Sequence, residues 1–481
     1  MSHAVQKVDD YTWEIPTSFK AGMRVPARII ATNALMSNMD SGVFDQITNV
    51  ATLPGIINYA YAMPDAHWGY GFPIGGVAAF DRREGGVISP GGIGFDINCG
   101  MKLIRTSLTK GDVLPKIKQL VDELFALVPA GVGAQGSVKL TRSQFEEVMT
   151  GGLRWALEHG YATRQDLEHT EEYGTIRGAD PAKVSNEAYK RGITQLGTLG
   201  SGNHYLEVQL TRKPDDADIA KRLGIFGDDQ VVVMVHCGSR GFGHQIATDY
   251  LQVFDRVMRR EGINVPDREL ACAPFDSKEA EDYTAAMACA ANMAFANRQV
   301  IINMIRRAFE RVFGMAWENM EMEVVYDVAH NMAKLERYAV GGESRELIVH
   351  RKGATRAFGP SGDLPAVFKT TGQPVIIGGS METGSYLLVG TDKAMSTTFG
   401  STAHGSGRTM SRTRAKRIVR GEELVREMEK RGIIVRAASY SGVAEEAGMA
   451  YKDLNEVITA VHESGISKKV VGFRPIGNVK G

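Results

Sequence analysis

Residues 231–244 read VVVMVHCGSRGFGH. The apolar run 231–235, four of its five residues valine, describes a short strand. His236 and Cys237 end it, a glycine-punctuated turn follows, and helical spacing takes over across 240–260. Working outward, strand-like runs at 322–328, 375–377 and 386–389 are likewise short and followed by Gly, His or Asn. Helices are predicted at 112–127, with Asp112 as the cap, and at 142–158, 181–191, 240–260, 279–312, 415–431 and 452–464. Strands and helices alternate without a Pro/Ser-rich linker. The expectation is an α+β fold in a single large domain spanning 1–481, with a mixed β-sheet core surrounded by helices.

The composition sets the outer limits. The chain has 481 residues, 43% hydrophobic and 23% charged, so it has ample material for a core. Lys plus Arg and Asp plus Glu each total 56, which argues against nucleic-acid coating by bulk charge. No secretory pattern is visible in MSHAVQKVDDYTWEIP (1–16). The most apolar stretch, 285–305, is interrupted by Asn292, Asn297, Arg298, Gln299 and Asn303, and reads as a buried helix rather than a membrane span. The four cysteines form no CxxC pair, which fits a reducing, cytoplasmic setting. Glycine, however, occurs 54 times, well above its usual share. It gathers in blocks at 69–76, 89–100, 196–205, 236–244, 378–385 and 404–408. Four blocks hold His or Cys, so a phosphate-contacting site assembled from several loops explains them better than tight turns alone.

Metal-ligand residue types lie inside or beside these blocks. Asp96 and Cys99 are three apart in DINC; His204 lies in GSGNHY, and His236 and His330 each follow a strand-like run. A carboxylate, a thiolate able to bridge and three imidazoles can hold one or two divalent ions. Thiolate and imidazole favour zinc, while a carboxylate with open positions also suits manganese. A single strand-end His is more often a satisfied polar residue; the joint occurrence carries the metal reading. GxxxxGK[ST] and HExxH motifs are absent, as is the KxDG lysine of ordinary nucleotidyl-transferring ligases.

The segment 404–420, HGSGRTMSRTRAKRIVR, carries six basic residues and no acid. Backbone N–H groups of its opening loop, leading toward a helix N-terminus, suit an anion. A neutral imidazole at His404 could attack phosphorus and pass the group onward. The bland alternative is a structural His beside a solvated basic helix face.

The blocks MPDAHWGYGFPIG, GGIGFDINCG, GSGNHY, HCGSRGFGHQ, VYDVAHN, RKGATRAF, HGSGR and RPIGNVKG together resemble the RtcB family of GTP- and manganese-dependent RNA ligases, from about residue 24 to the last. The resemblance implies joining of RNA 3′-phosphate or 2′,3′-cyclic phosphate ends to 5′-hydroxyl ends, in tRNA splicing and RNA repair, on an RtcB-like fold. It makes His404 the guanylylated nucleophile and Asp65 a carboxylate near the RNA ends, as general base or orienter. Two Mn²⁺ ions would be held by Asp96, Cys99 and His204, and by Cys99, His236 and His330. GTP contacts would come from Asn203, His204, Tyr205, Leu206, Glu207, His330, Asn331, Gly378, Gly379, Ser380, Met381, Ser385, His404, Gly405, Ser406, Gly407, Tyr451 and Lys480. Glu207 can accept from guanine N1–H and N2–H, which adenine does not offer. Arg191, Arg240, Arg408 and Arg412 are expected on RNA phosphates. The implied partners are RNA and an archease-type activator; monomer is the default.

One departure stands out. Where the family usually reads GSMGT, residues 379–383 read GSMET, and Gly378 stands where proline is common. A carboxylate at Glu382 beside nucleotide phosphates is costly unless it turns away or meets a cation. The runner-up reading is a metal-dependent RNA end-processing phosphodiesterase that transfers to water; a third is a non-catalytic RNA-binding scaffold.

Overall fold

The computed structural model describes residues 5–481. Two large sheets carry the architecture. In the first, strands run side by side in the order Gln6–Lys7, Thr12–Ile15, Ala27–Ile30, Ala60–His67, Ile74–Asp81, Glu343–Lys352, Asn331–Val340. The second follows Glu323–Ala329, Gly100–Thr109, Gln230–Cys237, Tyr205–Thr211, Ser467–Lys480, Ser385–Gly390, Pro374–Gly378, with Ile434–Ala437 parallel to Ser467–Lys480. Every residue of Gln230–Cys237 is buried, as its unbroken apolar run requires. The expected α+β class, mixed sheets with surrounding helices, is therefore present.

Antiparallel pairing decides where the chemistry gathers. Neighbouring strands enter and leave at the same edge. Gly100 faces both Cys237 and Ala329, and Tyr205 faces both His236 and Lys480. The loop ending at Cys99, the residues His204 and His330, and the chain end at Lys480 thus meet at one edge of the second sheet.

Helix Lys278–Phe313, 36 residues long, packs beneath this sheet, and its Asn292, Asn297, Arg298 and Gln299 are fully buried. Several predicted helices are subdivided. Asp112 is not the cap of 112–127 but the third residue of a capping box opened by Thr109, ahead of Ile117–Leu127. The 142–158 region breaks at Gly152 (φ +55°), and 415–431 separates into Arg412–Ile418 and Gly421–Lys430. The 181–191 region likewise separates into a 3-10 turn, Pro181–Lys183, and helix Asn186–Gly192. Among the described residues, no helix is long and apolar enough to cross a membrane. A small apolar cluster, Met381, Leu424, Met428, Ile433, Val435, Val443 and Ala447, lies apart from the main core beneath the C-terminal helices.

Candidate metal and nucleotide site

The strand edge opens into a cavity of about 880 Å³. Along its floor the expected ligands form a contiguous row, with Asp96, Cys99, His236 and His330 in its lining and His204 just behind it. Asp96 Oδ2 is 2.8 Å from His204 Nε2, and Cys99 Sγ is 3.3 Å from His204 Nε2 and 3.2 Å from His236 Nε2. His236 Nε2 is 3.2 Å from His330 Nε2, and the His330 and His404 rings are 4.6 Å apart between centroids. His404 ends the row against Asp65, whose Oδ2 is 2.6 Å from its Nδ1.

The electrostatics of this row suit a cation. Burial and the Asp96 charge push the Cys99 thiol up to about 12, so a bound cation is needed to hold a thiolate there. Burial keeps His236 and His330 well below the ordinary imidazole range, hence neutral, with facing Nε2 atoms. Burial opposes ionisation of Asp96, but the His204 hydrogen bond and the charge of Arg240 overcome it and hold the carboxyl low. His204 Nδ1 lies 3.0 Å from Leu199 O, and Nε2 is the ring nitrogen turned toward Asp96 and Cys99. A thiol and facing neutral imidazoles without protein partners beyond each other are a donor set that fits divalent ions.

The loops bearing these ligands are tied from below. Arg298, with no exposed surface, donates to Asn98 O (2.7 Å), Cys237 O (2.9 Å) and Asp327 Oδ1 (2.8 Å). Asn297 donates to Thr198 O and Gly238 O and accepts from the N–H groups of Gly197 and Thr198. These supports were not assigned a role from sequence, yet the signal was there: polar residues interrupting an apolar helix. Two glycines are required by close approach. A side chain at Gly238 would sit 2.5 Å from the Asp96 carboxylate, and one at Gly407 (φ +72°) would sit 2.0 Å from Asp65 O.

The 404–407 loop differs from expectation. His404 N and Gly405 N donate to Asp65 Oδ2, and Ser406 N donates to Gly378 O. These N–H groups are satisfied within the protein, so the loop is not an open anion cradle; Ser406 Oγ is buried without a hydrogen-bond partner. The basic segment also meets acids supplied from elsewhere in the chain. Arg408 and Arg412 pair with Glu446 at 3.3 Å, and Lys416 with Glu445 at 2.8 Å. Arg191 donates to Gln245, and Arg240 Nη1 lies 3.1 Å from His204 Nδ1. Neither Arg191 nor Arg240 lines the cavity.

Of the expected nucleotide contacts, Asn203, Tyr205, His330, Asn331, residues 378–381, residues 404–407, Tyr451 and Lys480 line the cavity. His204, Leu206, Glu207 and Ser385 do not. Leu206 follows Tyr205 in the strand and points to the opposite sheet face, with its backbone paired to Val479 and Val235. Ser385 Oγ donates to Gln209 Oε1. Glu207 shares the face of Tyr205, accepts from Gln209 Nε2, and is raised by burial against the opposing charge of Lys480. Lys480 is no solvated tail: it ends a strand, is 3% exposed, and donates to Gly202 O. Lys352, unassigned from sequence, also lines the cavity, its ammonium brought down to about 7 by burial. Glu382 turns away: its carboxylate meets Arg431 Nη1 at 2.8 Å and accepts from Gly448 N at 2.7 Å.

Residues 46–481 match the family model described as RtcB, tRNA-splicing ligase RtcB. Relatives named tRNA-splicing ligase RtcB include those of Archaeoglobus fulgidus, 52% identical with both chains wholly covered, and Pyrobaculum aerophilum, 54% identical over 99% of each. That of Thermococcus kodakarensis is 53% identical, again over 99% of each chain. With its ligand row, its histidine–carboxylate pair and these full-length likenesses, the chain belongs to the RtcB family.

Proposed function

We propose that this protein is a GTP-dependent RNA ligase of tRNA splicing and RNA repair, acting through a guanylylated His404. The observation that carries the proposal is the Asp65–His404 pair at the end of the ligand row. Asp65 is buried and holds Nδ1, so Nε2 is the nitrogen left to attack. Its carboxylate also anchors two backbone N–H groups of the nucleophile loop, fixing the ring's position. In this scheme Nε2 bonds to the α-phosphorus of GTP as the bond to pyrophosphate breaks, and Asp65 stabilises the imidazolium that develops. An RNA 3′-phosphate oxygen then takes GMP from His404. The 5′-hydroxyl of the second strand attacks the RNA phosphorus and expels GMP.

Asp96, Cys99 and His204 would hold one divalent ion, and Cys99, His236 and His330 the other, with manganese the family's metal. Such ions, when bound, supply positive charge that offsets the triphosphate. Glu207 would read guanine once its bond to Gln209 is exchanged for the base, with Tyr451 and Lys480 beside it. The four buried, unpaired cysteines agree with a cytoplasmic setting. Arg412 and Arg191 reach the surface and are the better candidates for RNA phosphates, whereas Arg408 is half-buried against Glu446.

The test is incubation with α-labelled GTP and Mn²⁺. An acid-labile, alkali-stable adduct that disappears in His404→Ala, with metal content retained, is the expected result. A metal-loaded, GTP-binding wild type that forms no adduct, yet opens 2′,3′-cyclic phosphates without GTP, would establish the phosphodiesterase instead.

A further inference from the structure

The cavity has an aromatic margin that the nucleotide and the metal ligands leave unused. Trp68 lies just past the strand Ala60–His67, is 64% exposed, and lines the same cavity as His404. An indole so exposed is unusual, because its large apolar surface is costly in water. The ring is nevertheless held in place. It rests against Gly42, where an added Cβ would lie 2.5 Å from Trp68 Cε3 and 3.0 Å from Cδ2. One side of the ring thus packs against the main chain at Gly42, while the rest faces solvent at the cavity.

The margin continues toward the metal ligands. Tyr70 and Phe95 also line the cavity, with ring centroids 5.1 Å apart at 66°. Phe95 immediately precedes Asp96 and stacks on His244, 5.1 Å away at 18°. Arg412 and Arg414 line the cavity as well, so it offers both aromatic surface and exposed cationic groups. Aromatic surface interleaved with basic residues is what single-stranded nucleic acid uses: phosphates meet cations and unpaired bases stack on rings.

Resting on the RNA-ligase reading, we infer that Trp68, continued by Tyr70 and Phe95, is a stacking platform for the unpaired base beside the RNA phosphate being joined. Stacking is indifferent to base identity, so the platform grips an RNA end without demanding a sequence. It also requires that the terminal base be unpaired, which favours single-stranded ends over a continuous duplex.

The full-length protein is titrated with two short single-stranded oligoribonucleotides, one ending in a 3′-phosphate and one in a 5′-hydroxyl. Each is also made with an abasic terminal nucleotide. In the wild type, at least one intact end should quench tryptophan emission, since Trp13, Trp155 and Trp317 lie outside the cavity lining. Trp68→Ala should weaken that end roughly 5- to 100-fold, the range for one stacked base. Trp68→Phe should retain most of the affinity but lose the quench. Removing the terminal base should cost the wild type a similar factor and Trp68→Ala little more. Equal affinity of wild type and Trp68→Ala for both ends, or indifference of the wild type to the abasic substitution, overturns the platform. Adduct formation from GTP is followed in parallel. A wild type that forms the adduct while its RNA binding shows no Trp68 dependence rejects only the platform; a wild type without an adduct rejects the ligase reading on its own terms.

Discussion

The two sides of the cavity are held by different physics. On the metal side, the loops sit at the edge of a sheet whose strands Tyr205–Thr211 and Gln230–Cys237 are wholly buried, and are bound from beneath by Arg298 and Asn297, with no exposed surface between them. On the nucleotide side, residues 378–385 lean on a small separate cluster around Met381 and on ion pairs such as Glu382–Arg431, whose arginine is half exposed. Buried charge-assisted bonds fix geometry and are severe to break, whereas partly exposed pairs contribute little and yield to salt. The lesson is a division of labour. One side keeps the Asp96–His330 row and His404 in register, while the other is free to adjust.

The largest expected effect lies where the two sides meet. Asp65→Asn keeps the shape but exchanges the carboxylate that steadies the His404 imidazolium; the adduct should form about 10²- to 10⁴-fold more slowly, measured by labelled GTP. Arg298→Ala leaves Asp327 with Lys102 alone, at 3.5 Å, and two buried loop carbonyls without a donor, and should cost about 2–4 kcal/mol in chemical denaturation. Loss of less than about 1 kcal/mol would erase the distinction between the two sides.

Glu207 provides a pH test. Burial raises its carboxyl above the ordinary range, so the free protein tends to keep it protonated. Its contribution to stability is full below the unfolded value and is lost as pH rises through the raised one. Guanine recognition needs the carboxylate, so GTP affinity should rise with pH from mildly acidic to mildly alkaline, and the rise should vanish in Glu207→Gln. The smallest effect belongs to Glu382→Gly, which restores the family's usual residue. Stability should change by about 1 kcal/mol or less, because the Arg431 partner is solvent-screened. A larger drop would mean that the nucleotide side is as tightly tied as the metal side.

Much of this was legible in the chain. The run 231–235 ending in His236 announced a strand, and the glycine blocks marked loops that approach one another. What escaped were long-range consequences. Nothing local says that Lys480 ends a strand beside Tyr205, that Leu206 faces away from its neighbours, or that Glu446 neutralises Arg408. The anion cradle expected at 404–407 failed for the same reason, since Asp65, 339 positions away, takes two of its N–H groups. Arg298 read as an interruption of an apolar helix; only the fold shows what it holds.

The central claim is that the protein joins RNA ends rather than hydrolysing them. Its most direct test is ligation of an RNA carrying a radiolabelled 3′-phosphate to a 5′-hydroxyl RNA, with GTP and Mn²⁺. The account predicts that the label moves into the junction, becomes phosphatase-resistant, and does so only with GTP and an intact His404. Label released as inorganic phosphate, or left phosphatase-sensitive on an unjoined strand while metal and GTP are bound, would contradict it.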